Sequence, residues 1–254
     1  MDDSTFVSPS TGRNVKAVLF DTFGTVVDWR AGVAREAKKF ANRHGITFEP
    51  FDLADKWRAD YYPSMAPIRS GDRRYVPLDQ LHLENLKTAL AALGFPPSDF
   101  PDDDLEELNR AWESLPAWPD SVEGLERLKA RYIVGPLSNA NTALLVNMAK
   151  HARLPWDVVI GLDLFQTYKP DPAAYTGVAA VLRLHPGEVM LAAAHNYDLR
   201  AAREAGLATA FVRRATEHGP KQTTDLEPAS DWDISVDDFT QLAQSLTARP
   251  AATA

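Results

Sequence analysis

Four stretches of the chain place polar side chains directly beside apolar runs. Ala17-Val18-Leu19-Phe20 stops at Asp21, and Thr22, Phe23, Gly24 and Thr25 follow at once. Tyr132–Leu137 ends at Ser138-Asn139, and Val189–Ala193 is followed by His195-Asn196-Tyr197-Asp198. Lys169 lies in Tyr168-Lys169-Pro170-Asp171-Pro172, just ahead of a helical stretch. An apolar run that ends in an acid reads as a buried strand entering a loop. In open α/β sheets, ligands bind outside the carboxyl ends of the strands. Carboxylate, hydroxyl, amide, ammonium and imidazole should therefore converge on one sheet edge. Such a set can keep Asp21 ionised, with Lys169 as counter-ion and Thr25 as donor, because an opposite charge nearby lowers a carboxylate pKa.

Strands alternating with helices must position these groups. After the first strand the texture changes to helical spacing: Val33, Ala37 and Phe40, then Leu53, Trp57 and Tyr61, then Leu78–Leu93 and Leu105–Trp112. Proline and glycine punctuate these runs, which read as an insert of four or five helices with no strand. Beyond Pro116–Pro119 the βα alternation resumes. It predicts helices over Ser121–Ala130, Ala143–Ala149, Pro172–Leu184, Leu199–Ala205 and Val236–Leu246. It predicts strands over Tyr132–Leu137, Val158–Ile160, Val189–Ala193 and Ala208–Val212. The expected fold is α/β, a Rossmann-like core of parallel strands with helices on both faces and an all-helical cap inserted after the first strand. The expected divisions are a flexible leader (1–13), a core (14–28 and 117–248) and a cap (29–116), with a disordered Ala-rich end.

Composition narrows the class. The 254 residues are 45% hydrophobic and 24% charged, enough for a sizeable core. A net charge of −8 offers no basic surface for nucleic acid or anionic membrane. There is no cysteine, so thiolate catalysis, disulfides and Cys-based zinc sites are out. No run is apolar enough to span a bilayer, and the polar N-terminus is unlike a secretory signal. A cytoplasmic protein is expected.

The four motifs, D-T-F-G-T at 21–25, L-S-N at 137–139, Y-K-P-D-P at 168–172 and H-N-Y-D at 195–198, resemble those of the haloacid dehalogenase (HAD) superfamily, in the family's order. The family's phosphatases carry a second Asp two residues after the first, as acid and base; here that position is Phe23. They also carry an extra Mg²⁺-holding acid where this chain has Ala194. Magnesium wants hard oxygen ligands. Both departures resemble the L-2-haloacid dehalogenase branch. Lys56-Trp57-Arg58 resembles that branch's cap element, whose Arg accepts the departing halide, and Tyr175 matches an active-site Tyr of the branch.

The resemblance implies hydrolysis of short 2-haloalkanoates to 2-hydroxyalkanoates, with no metal and no cofactor. Asp21 would displace halide and form an ester, and water would then hydrolyse it. By the same resemblance the catalytic set is Asp21, Thr25, Lys169, Tyr175, His195 and Asp198. Thr22, Phe23, Arg58, Trp57, Ser138 and Asn139 would bind substrate and halide. His195 keeps three readings: a base for the water, a halide donor or a structural residue. Haloacid and water are the expected partners, with a homodimer by analogy. A Mg²⁺-dependent phosphatase and an inert binding module are the rival functions. His44, His82, His151, His185 and His218 read as surface or turn residues, and Trp112, Trp118, Trp156 and Trp232 as packing.

Overall fold

Ala17–Phe20 (β1) is buried on both faces, as expected for a central strand of a parallel sheet. The computed structural model describes residues 6–247. β1 pairs in parallel with Ile133–Pro136 (β2) on one side and Val189–Ala193 (β3) on the other. Ala208–Val212 (β4) and Ile234–Val236 (β5) extend the sheet beyond β3, giving the order β2-β1-β3-β4-β5. The order reverses at β1, so the crevice of the sheet opens where β1 and β3 end side by side. Asp21 and His195 follow those two strands.

Between β1 and Ser121–Lys129 (α6) stand five α-helices: Trp29–His44 (α1), Pro50–Ala59 (α2), Tyr61–Arg69 (α3), Leu78–Ala92 (α4) and Asp102–Asn109 (α5). The carboxylate of Asp28 caps α1 by accepting from the amide of Ala31, and Gly45 closes its far end in the left-handed conformation. The apolar packing is continuous from Val18 and Phe20 through Val26 and Val27 to Trp29 and Val33, so sheet and insert share one core. Thr142–Ala152 (α7), Pro172–Val181 (α8), Asn196–Glu204 (α9) and Phe239–Thr247 (α10) are the remaining α-helices among the described residues. Phe239 of α10 sits 4.9 Å, ring to ring, from Phe20 on one face of the sheet, while Tyr175 and Val178 of α8 pack with Leu19 and Leu191 on the other.

Several local expectations change. Val158–Ile160 forms no strand. The Asp157 side chain accepts the amide of Val134 at 3.0 Å, and its own amide bonds the Val134 carbonyl, so the edge of β2 is closed by a side chain rather than by another ladder. The helix expected over Val236–Leu246 divides into β5 and α10, which starts at Phe239, where the backbone amide bonds Asp120. α9 begins at Asn196 rather than Leu199. Residues 6–13 of the expected flexible leader are tied down: Ser8 and Ser10 donate to Asp233, and Thr11 donates to the Gly187 carbonyl. Residues 1–5 and most of the Ala-rich end lie outside the described residues. Among the described residues, no helix is long and apolar enough to cross a membrane.

Candidate active site

The loop after β1 is held by its neighbours' side chains. Trp118 donates to the carbonyl of Gly24, Ser121 to that of Val26, and Arg214 to that of Thr25. Arg214 is itself buried and clamped by both oxygens of Asp120, at 2.7 and 2.8 Å. Gly24 adopts φ +86, and a Cβ there would lie 2.0 Å from Oε1 of Glu217. Only glycine admits both the conformation and the approach.

This loop presents Asp21 with its two oxygens in different company. Oδ2 accepts from the Thr25 hydroxyl at 2.8 Å and meets Nδ1 of His195 at 2.9 Å. Thr25 Oγ1 accepts from the amide of Ala194, so its own hydrogen is committed to Asp21. Oδ1 has one long contact, 3.4 Å to Nζ of Lys169. Lys169 makes its short bond, 2.6 Å, to Asp198, whose other oxygen accepts from the Tyr175 hydroxyl at 2.7 Å. The backbone amide of Lys169 donates to Oδ1 of Asn139, which fixes the start of the lysine.

Burial would raise the Asp21 carboxyl, but Lys169, His195 and Thr25 together hold it well below the usual carboxylate range. Burial likewise works against the Lys169 ammonium, and Asp198 and Asp21 more than restore it. Asp198 is displaced upward, by burial first and then by Asp21.

His195 lies between two carboxylates, because its Nε2 is 2.9 Å from Oε2 of Glu217. Both ring nitrogens then act as donors and the ring is an imidazolium. Desolvation opposes that charge, and Glu217 and Asp21 override it, raising the pKa well above the ordinary histidine value. Glu217, whose other oxygen accepts from the indole of Trp29 at 2.9 Å, escaped the sequence reading. It lies in the loop after β4, well beyond the strand end, whereas His195 follows β3 almost at once, so a reading of strand ends passes over it.

The insert supplies the opposite wall. Arg58 stacks its guanidinium 4.0 Å from the Tyr61 ring centre, 5.3 Å from Trp29 and 5.9 Å from Phe23. Phe23 is buried, edge-on to Trp112 at 5.3 Å. Ser138 and Thr22 are buried at the loop ends, and Thr22 Oγ1 has no partner among the described residues. Trp57 departs from expectation: its indole N–H donates to the His82 carbonyl at 2.7 Å, so it joins α2 to α4 and has no donor free for a halide. His82, expected at the surface, is 1% exposed. A cleft of about 470 Å³ opens beside Arg58, Trp29, Tyr62 and His195. A further cleft, lined by Glu36, Lys39 and Arg43, lies away from this chemistry.

The donor set does not suit magnesium. An ammonium and an imidazolium occupy both sides of Asp21, both oxygens of Asp198 are taken, and Ala194 offers no side-chain oxygen.

Residues 15–206 match the family model of haloacid dehalogenase-like hydrolases. The chain belongs to that family. Among the haloacid dehalogenase-like hydrolases it is 30% identical to (S)-2-haloacid dehalogenase 4A of Burkholderia cepacia, over 79% of this chain and 84% of that one. Two solved structures place it on the L-2-haloacid dehalogenase branch. The defluorinating L-2-haloacid dehalogenase Rha0230 is 58% identical with a TM-score of 0.95, over 96% of this chain and 99% of the other. The L-2-haloacid dehalogenase PA0810 is 43% identical with a TM-score of 0.87, over 91% and 98%.

Proposed function

We propose that this hydrolase removes the halogen from short 2-haloalkanoates through an ester on Asp21, and that fluoroacetate is among its substrates. The observation that carries the reading is the unequal environment of the Asp21 oxygens. Oδ2 is tied by two short bonds, whereas Oδ1 has only the long contact to Lys169. Oδ1 is the attacking atom. It displaces halide in line from the substrate carbon, and the new C–O bond leaves Oδ2 as the ester carbonyl. Thr25 then donates to the oxygen that becomes an oxyanion when water adds to the carboxyl carbon.

Ester formation also removes the charge of Asp21, one of the two carboxylates that hold the His195 proton. The ring releases that proton to solvent and stays bonded to Glu217 through Nε2–H. Neutral His195 now accepts a proton from the attacking water; collapse breaks the ester C–O bond, the Asp21 carboxyl hands its proton to the departing alkoxide, and ionised Asp21, protonated His195 and the 2-hydroxyalkanoate result. Asp198 and Tyr175 act by positioning Lys169. Ser138 and the backbone amides of Thr22 and Phe23 receive the substrate carboxylate. The helices of 29–116 act as a cap over this site, and the protein works as a homodimer, which light scattering would check.

Phosphatase chemistry fits less well, since Phe23 cannot transfer a proton. Single turnover in ¹⁸O water separates the mechanisms: label must enter Asp21 before it reaches product. Label found directly in the hydroxyl of the product would sink the ester. A fluoride electrode reads the second half of the proposal, and no fluoride from fluoroacetate would reject it.

A further inference from the structure

His82 is a buried histidine that the mechanism above leaves unused. It projects from α4 and stacks on Trp112 at 4.2 Å between ring centres. Neither of its ring nitrogens has a hydrogen-bond partner among the described residues. Trp112 Nε1 and Arg58 Nη1 are in the same condition. A buried polar group without a partner costs about 1–3 kcal/mol, so several around one point call for a ligand.

These groups form one cluster around the Phe23 ring. Phe23 lies 6.0 Å from His82, 5.3 Å from Trp112 and 5.9 Å from the Arg58 guanidinium. Tyr61 lies 6.0 Å from His82 and 4.0 Å from Arg58. Phe23 is the second residue beyond Asp21, and the other four come from the insert. An in-line displacement sends the leaving group away from the nucleophile. Asp21 stands at the sheet edge, so the leaving group departs toward the insert.

We infer that His82 and Trp112, with Arg58, form the receptor for the departing halide, each ring giving one N–H to the anion. The inference rests on the dehalogenase reading for its role in turnover. Desolvation and the nearby Arg58 cation keep His82 neutral, so its ring offers a single N–H rather than a second fixed charge. A donor that meets the halide only as its charge develops accelerates the step, and it matters most for fluoride, which leaves with the most concentrated charge.

The test uses His82→Phe and Trp112→Phe, which keep an aromatic ring and remove the N–H. Chloride binding to the resting enzyme, read by chlorine-35 NMR line broadening, needs no turnover. Each substitution should weaken it by about tenfold or more, the scale of one hydrogen bond to a charge. Each should also lower kcat on fluoroacetate more than on bromoacetate. Unchanged chloride affinity and an unchanged fluoro-to-bromo ratio in the folded variants would overturn the inference, as would a wild-type enzyme that binds no chloride. If His82→Phe fails to fold by circular dichroism, Trp112→Phe decides the matter. Chloride binding weakened by the variants, in an enzyme that dehalogenates nothing, would support the receptor and sink the dehalogenase reading.

Discussion

Oε2 of Glu217 stands 2.9 Å from Nε2 of His195 while Oε1 of the same carboxylate holds the Trp29 indole at 2.9 Å. The acid is therefore locked at both ends and cannot swing away from the imidazole. Burial would raise its carboxyl, and His195 outweighs that and lowers it. The pair is a fixed anion behind a histidine whose other nitrogen faces Asp21.

Glu217→Gln keeps the shape and removes the charge. Its main effect should fall on ester hydrolysis, slowing it by about 10²–10⁴-fold, the usual share of a general base. The alkylated enzyme should then accumulate, visible as added mass on the intact protein after rapid quenching. A variant that shows no ester and normal turnover would remove Glu217 from the mechanism.

The same pair sets a pH dependence. The folded pKa of His195 lies well above its unfolded value of about 6.5. Its stabilising contribution is therefore complete below about pH 6.5 and is lost as pH rises through the raised folded value. Asp21 has the opposite sign: its depressed pKa stabilises above the ordinary carboxylate range and that contribution disappears only as the pH falls through the lowered folded value. Melting temperature against pH should decline on the alkaline side in the wild type. Glu217→Gln should start that decline at lower pH.

Lys169→Met leaves Asp21 and Asp198 facing each other without their shared cation. Breaking a buried pair in this way costs about 3–5 kcal/mol, and halide release should fall below detection. Asp198→Asn, which keeps hydrogen-bonding capacity, should lose less stability. Urea unfolding of the three proteins gives the order directly.

Gly24→Ala combines a left-handed backbone with a methyl 2.0 Å from Glu217 Oε1. A strained conformation of this kind costs about 1–3 kcal/mol. The displaced Glu217 should also give the variant the shifted pH profile of Glu217→Gln. A loss of melting temperature with an unaltered profile would show that Glu217 finds another route to His195.

Phe23→Asp should not yield a phosphatase. The acid would enter a cluster of Trp112, His82 and Tyr61 beside the Arg58 cation, which would hold it ionised and unable to donate a proton to a leaving group. Release of phosphate from p-nitrophenyl phosphate with added Mg²⁺ would be the contrary result.

Much of this was readable before the structure. Asp21, Ser138 and His195 were found because each follows a buried strand, and the strand ends share one edge of the sheet. Arg58 and Phe23 stand out in the sequence by resemblance alone, and the fold brings the two side chains within 5.9 Å. Glu217 was not found: it lies in a loop without strong local periodicity, and its role depends on a partner brought near by the pairing of β3 with β4. His82 sits in the buried stripe of α4 with Leu78, Leu81 and Leu86, but its stacking on Trp112 is a tertiary fact. β5 is three residues long, too short for alternation to stand out. The edge of β2 depends on one Asp157 side chain, which no pattern of apolar residues announces.

Asp21 and His195 leave two adjacent strands in register, Phe20 beside Ala192. The spacing of carboxylate and imidazole is thus inherited from the ladder of the sheet, not from the flexibility of a loop. Arg58, Tyr61, His82 and Trp112 hang instead from helices that no strand constrains. Descendants of this architecture are free to reshape what they accept while keeping unchanged how they attack. A graft of α2–α4 from a relative should carry its substrate preference with it.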